Sequence, residues 1–451
     1  MLTKLETLPE SLIDFIQTLR RELCDQAFIK RHRFRDQDFT RERQLTFPVV
    51  VLFILQKTAK SIQRHLHELL ELIGGEVPVE PVSAGAWTRA RAKLKHTAFV
   101  ELNSDLVLPA IYGADDSKSV RRWRGHRLLG IDSSVLRLPW HEELFEQFTP
   151  KQIQAEDGST KIYPEARLSV LYDLLNRVAL DGQLRPSSQG EVGLAIEQLD
   201  QAARKDIIVT DRGYTGYGYL SAVLYMGLDF VARCSSGSFA AAQELFRMDR
   251  AGRSIVVKLV APPELREHLR DCGRALELTV RFISLRLPTG ELEVLATSLL
   301  DEQKYPTEEF LEVYGCRWRQ ETFYFLMKSR LDLENFSGHT AEAVRQDFFS
   351  TLLLCNIETV LTAPAQAALD KQSQSQEAPK VVNHAVAFHA IKHRLFDLLS
   401  SDTPAIEVVR ELQSLFQSAP VSRRKRPKQP RPKPSLHRSY YFQRSIRKIT
   451  F

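Results

Sequence analysis

Residues 308–332 read EEFLEVYGCRWRQETFYFLMKSRLD. The stretch holds no proline and a single glycine among strong helix formers, which predicts one continuous helix. At about 100° per residue, Tyr314, Arg317, Glu321 and Lys328 share an arc of about 60°. One carboxylate thus lies on a stripe with two cations and a phenol. A solvated helix face spreads alternating charges around its circumference. This stripe is instead flanked by Phe310, Trp318 and Phe325, the pattern of a half-buried cleft wall. A lone acid beside Arg and Lys in a cleft suits a metal ligand next to phosphate-binding groups. A surface helix with an Arg–Glu pair one turn apart accounts for the same residues more plainly.

The spacing Tyr314-x2-Arg317-x3-Glu321-x6-Lys328, with Trp318 after Arg317, resembles the Y-R-E-K signature of the DDE transposases of the insertion sequence 4 family. Two further acids in the right order upstream would complete the resemblance, and the chain supplies both. In HRLLGIDSSVLRLPW (126–140) an apolar, β-compatible run ends at Asp132. An Asx turn closing the strand is the alternative reading of that residue. In DIIVTDRGY (206–214) a continuous apolar strand ends at Asp211, and Gly213 permits a sharp turn.

Between and around the acids the pattern alternates. Residues 165–179 contain buried-strand residues, with a hairpin expected at Asp181-Gly182, and 190–203 form an amphipathic helix. This predicts an α/β fold, a mixed sheet flanked by helices. Three alternating strands joined in part by Pro288-Thr289-Gly290 make 236–300 a β-rich insertion. The resemblance covers roughly 40–365. It implies an RNase H-like core, its first part at 120–235 and its second, with the signature helix, at 301–370.

Residues 1–115 read as an α-helical N-terminal domain. Ser83 is a candidate N-cap for AWTRARAKLKHTAF (86–99), where Arg89 and Lys93, and Arg91 and Lys95, fall one turn apart. Such a basic helix fits a helix-turn-helix-like DNA reader. A solvated face around Trp87, Leu94 and Phe99 is the bland alternative. A Ser/Gln-rich linker at 372–380 precedes C-terminal helices at 381–421, taken here as the expected dimer surface.

The net charge of +6 is unevenly placed. The tail at 422–451, opening with Arg423, Arg424, Lys425 and Arg426, holds eleven basic residues and no acid, leaving 51 basic against 56 acidic residues elsewhere. A basic, Pro-rich arm adds sequence-independent phosphate affinity. Five scattered cysteines and the absence of an apolar leader imply a reducing, cytoplasmic compartment, and the apolar run 47–55 is too short to span a bilayer.

The resemblance implies cut-and-paste transposition on double-stranded DNA, inverted repeats and target alike, by a synaptic homodimer. It makes Asp132, Asp211 and Glu321 the ligands of two Mg²⁺ ions, with Mn²⁺ as substitute. Asp132 is the shared ligand. Tyr314, Arg317 and Lys328 would hold phosphates of the terminal nucleotides, and Trp318 would pack or stack on a base. No tryptophan lies between Trp140 and Trp318, so the insertion offers only Phe239, Phe246 and Phe282 to a base moved out of the stack. A catalytically silent DNA-binding protein of the same fold is the competing function.

Overall fold

A computed structural model describes residues 9–41, 44–57, 61–74, 81–113, 120–154, 158, 160–373, 378–401 and 403–422. Its centre is a nine-stranded sheet. The strands are β1 (Leu128–Arg137), β2 (Thr149–Gln154), β3 (Thr160–Asp173), β4 (Val178–Pro186), β5 (Ile207–Thr210), β6 (Asp229–Arg233), β7 (Arg253–Val260), β8 (Glu277–Arg286) and β9 (Leu292–Thr297). Their order is β2-β3-β1-β5-β6-β9-β8-β7, with β4 pairing along the second half of β3.

Within it, β4, β3 and β1 are antiparallel neighbours, and β5 and β6 follow parallel to β1. Three antiparallel strands continued by two parallel ones give the RNase H-like arrangement. Parallel neighbours need crossovers. The helices Glu191–Gln198, before β5, and Tyr217–Tyr225, between β5 and β6, supply them.

Alternation along β1 sorts its side chains to two faces. Leu128 and Leu136 enter one apolar core, Leu129 and Ile131 the other. The first core holds the signature helix, the long helix Ala341–Gln372, the N-terminal helices and the C-terminal helices His384–Leu399 and Ala405–Ser418. The second is covered by the crossover helices and by Ala240–Met248. Ala341–Gln372 is apolar enough to cross a membrane, but most of its apolar span is buried inside the protein, so packing accounts for its composition.

Three expectations change. The β-rich insertion is part of the main sheet, because β9 pairs with β6 (Val231↔Thr297) and β8 and β7 follow. Buried Arg281 on β8 donates to Tyr305 O at 2.7 Å and Thr307 Oγ1 at 2.8 Å, anchoring the entry to the signature helix. The β3–β4 turn comes earlier than Asp181-Gly182. The Asp173 carboxylate accepts from the Leu175 and Asn176 amides, both at 2.9 Å, and closes an Asx turn before them. Finally, the N-terminal helices pack into the same core as the C-terminal ones. Arg20, for example, donates to Leu398 O at 2.6 Å. Residue 115 is therefore no boundary of packing.

Candidate active site

The signature stretch is a segmented helical run. Helix Phe310–Gly315 passes into Trp318–Phe325 through a tight joint, where Arg317 N–H bonds Tyr314 O and Gln320 N–H bonds Arg317 O, both at 3.0 Å. A π-helical turn, Leu326–Arg330, follows. The dihedrals stay helical across the joint, so the polar stripe survives even though the predicted single helix does not.

The helix Trp318–Phe325 lies across β1, and three contacts fix it there. Gln320 is fully buried and donates to Val170 O at 2.7 Å. A Cβ at Gly130 would stand 2.2 Å from Gln320 Oε1, so only glycine allows this approach. Phe323 stacks on Tyr172 at 4.4 Å, and Tyr324 Oη donates to Asp132 O at 2.5 Å. The same helix turn carries Glu321, near enough for its charge to raise the Asp132 carboxyl.

Asp132 is in mid-strand, paired with Val170, rather than at the end of a strand as the sequence implied. Its exposure comes from its neighbour: β5 pairs with β1 only from Leu128 to Gly130, which opens a notch beside Asp132. Asp211 follows the last residue of β5 at that notch, and its Oδ1 accepts from Gly213 N–H at 2.8 Å. Burial raises the Asp132 carboxyl to about 6, the Ser133 N–H pulls it down, and the charges of Asp211 and Glu321 raise it further. Asp132 therefore senses the charges of both other acids.

Arg317, largely buried, donates through Nη2 to Glu321 Oε1 at 2.7 Å and through Nε to Tyr314 Oη at 3.2 Å. Its guanidinium also lies 5.1 Å from the Trp318 ring centre. Trp318 is 51 % exposed and Trp140 72 %, so Trp318 packs on Arg317 with one side of its ring system open. Phe282 is fully buried, and Phe239 and Phe246 are half-buried against the second core, so none of the three is as exposed as Trp140 or Trp318. Lys328 donates to Ser134 Oγ at 2.7 Å and Val135 O at 2.5 Å, clamping the helix end to β1, and burial lowers its pKa.

The basic helix needs correction. Ser83 caps it as expected, accepting from Ala86 N–H at 3.1 Å, but it ends at Arg91. Lys93 and Lys95 lie beyond it. Arg91 is buried, donating to Asp347 Oδ1 at 2.8 Å, Gln346 Oε1 at 2.7 Å, Ser337 Oγ at 2.6 Å and Ala343 O at 2.8 Å. It is thus an internal tie and no DNA contact. Lys95 Nζ donates to Arg31 O at 3.2 Å. Arg89 is exposed. Arg423, Arg424, Lys425 and Arg426 lie outside the described residues.

Sequence reasoning missed a polar group behind the notch. Ser133 Oγ donates to Glu191 Oε2 at 2.8 Å, and Arg167 Nη1 donates to Ser133 Oγ at 2.8 Å. Nothing in the spacing signals it, since Arg167 and Glu191 meet Ser133 only through strand pairing and a crossover.

The family profile described as "Transposase DDE domain" matches residues 123–357, more than half of the chain. The chain belongs to the DDE transposases. It is similar to the transposase InsG for insertion sequence element IS4 of Escherichia coli (strain K12), with 25 % identity over 240 residues, which is 52 % of each chain. The match thus spans about half the length of that relative. The relation supports placement in the insertion sequence 4 family. A cryo-EM structure of the piggyBac transposase synaptic complex with hairpin DNA aligns over 88 % of this chain and 81 % of that one, at 11 % identity and a TM-score of 0.44.

Proposed function

We propose that this transposase cuts and rejoins double-stranded DNA at the inverted-repeat ends of its element, in the cut-and-paste manner, with Asp132, Asp211 and Glu321 as the metal-binding acids. The single observation that carries the reading is the notch, where Asp132 within β1 stands beside Asp211 at the end of the parallel strand β5 and the docked helix carries Glu321.

The donor set suits Mg²⁺ or Mn²⁺, since hard cations take carboxylate oxygens and Mg²⁺ keeps several waters. The raised Asp132 carboxyl, pushed up partly by two neighbouring carboxylates, is what a site awaiting cationic charge would show. Among the described residues, no three such side chains lie close enough to hold an ion as they stand. Glu321 is turned to Arg317, and it would have to swing away to join the aspartates. Two ions bound there would activate the attacking oxygen and stabilise the leaving one in an in-line displacement at phosphorus.

The chain's own groups do the rest. Arg317, held by Tyr314, is free to offer its fork to a phosphate once Glu321 turns. Lys328 keeps the helix end on β1 and contributes positive charge at the rim. Exposed Trp318 and Trp140 offer flat surfaces to bases. Arg89 and the basic tail would add backbone affinity, and two copies of the chain would pair two DNA ends. Five dispersed cysteines are consistent with work in a reducing cytoplasm.

The test is cleavage of end-labelled DNA carrying the flanking inverted repeat, in Mg²⁺ or Mn²⁺, by wild type and Glu321→Gln. Metal-dependent nicking at the repeat end, lost in the variant while binding persists, is the expected result. A wild type that binds without nicking in either metal would leave the catalytically silent binder standing.

A further inference from the structure

We propose that Glu191, charge-balanced by Arg167, is a positioning residue that sets the separation of Asp132 and Asp211 from the opposite face of the sheet. The inference rests on the cleavage reading above.

Each aspartate is held by a nearby backbone amide. Ser133 N–H donates to Asp132 Oδ1 at 2.8 Å, and Gly213 N–H donates to Asp211 Oδ1 at 2.8 Å. Glu191 bonds the first of these donor residues and faces the open side of the second. Its Oε2 accepts from Ser133 Oγ at 2.8 Å. Its Oε1 lies 3.1 Å, and Asp211 Oδ1 3.2 Å, from where a Cβ on Gly213 would stand, so the two carboxylates share the space that the glycine leaves. One carboxylate therefore lies between the residues whose amides orient the two aspartates.

The placement follows from the fold. Side-chain alternation sends Asp132 to the face of the signature helix and Ser133 to the face of the crossover helices. Glu191 is the first residue of the crossover helix Glu191–Gln198, which packs against β1 and β3. The acid is thus carried on a separate element from either aspartate.

Arg167 makes this arrangement tenable. Three carboxylates close together repel one another, and an unpaired Glu191 would push the notch open. Arg167 Nη1 donates to Ser133 Oγ at 2.8 Å and lies 3.4 Å from Glu191 Oε2. The serine hydroxyl accepts from the arginine and donates to the glutamate, so donor and acceptor roles are consistent around the group.

The experiment uses the full chain and three variants, Glu191→Ala, Glu191→Gln and Asp132→Asn. Mn²⁺ binding is measured directly by paramagnetic resonance titration without DNA. The Mg²⁺ concentration for half-maximal cleavage, the melting temperature and the affinity for repeat DNA are measured alongside. Glu191→Ala should weaken Mn²⁺ binding about 10- to 100-fold, the range for lost outer-shell partners, and raise the Mg²⁺ requirement. Melting and DNA affinity should hold. Glu191→Gln, which still accepts from Ser133 and shares the space at Gly213, should recover most of the loss. Wild-type Mn²⁺ affinity in Glu191→Ala would overturn the proposal. So would a parallel fall in metal binding, melting and DNA affinity without recovery by glutamine. A wild type that binds Mn²⁺ no better than Asp132→Asn would instead remove the metal-site reading beneath it.

Discussion

Arg317 and Glu321 form an ion pair at 2.7 Å across one helical turn, and the same guanidinium is held at 3.2 Å by the Tyr314 hydroxyl. A buried cation thus occupies the one acid of the three that sits on a helix. The pair holds Glu321 against Arg317 rather than in a metal-binding cluster with the aspartates. Lysine cannot reproduce a planar fork that serves a phenol and a carboxylate together. Arg317→Lys should therefore lower single-turnover cleavage by ~10²-fold, the scale of one lost transition-state donor. Retention of cleavage within a few-fold of wild type would show that the guanidinium geometry is not needed.

Asp132 gives a prediction with a definite sign. Its carboxyl is raised to about 6, first by burial and then by Asp211 and Glu321. The folded protein therefore holds this proton more tightly than the unfolded chain, whose aspartate titrates near 4. Ionisation costs stability as pH rises from about 4, and the cost is complete above about 6. In chelator, Asp132→Asn should melt above wild type at pH 8 and show no such advantage near pH 4, while losing cleavage. Thermal unfolding at the two pH values checks it, and equal melting at pH 8 contradicts the assigned burial and repulsion.

Arg91 should behave as a core residue. It is paired with Asp347, which is fully buried, and satisfies three further acceptors. Arg91→Ala leaves that buried carboxylate without its paired cation and should cost ~3–5 kcal/mol in urea unfolding. Arg89→Ala, at an exposed position, should leave stability within about 0.5 kcal/mol and act only on DNA affinity. An Arg91→Ala protein as stable as wild type would return Arg91 to the DNA-contact assignment.

The tail offers an electrostatic test. With eleven basic residues and no acid beyond position 422, it should contribute counterion release to binding. Truncation after Val421 should flatten the slope of log affinity against log salt. An unchanged slope would show that the tail makes no phosphate contacts.

The sequence by itself determined the local chemistry: which residues form the strand before Asp211, the polar stripe of Tyr314, Arg317, Glu321 and Lys328, and the alternation that sends β1 side chains to two cores. These follow from periods of 2 and 3.6 residues, which local sterics impose. It also carried the family, because the signature spacing lies within one helical run. Tertiary structure alone decided the rest. Asp132 is accessible because β5 stops short beside it, which no reading of β1 could show. Arg91 is buried because Asp347, far along the chain, meets it with an opposite charge, and a basic residue on a helix looks the same in sequence whether solvated or paired. Glu191 reaches Ser133, the neighbour of Asp132, only through a crossover connection. Contacts of that kind depend on strand order and register, and the sequence encodes those through the packing of the whole core.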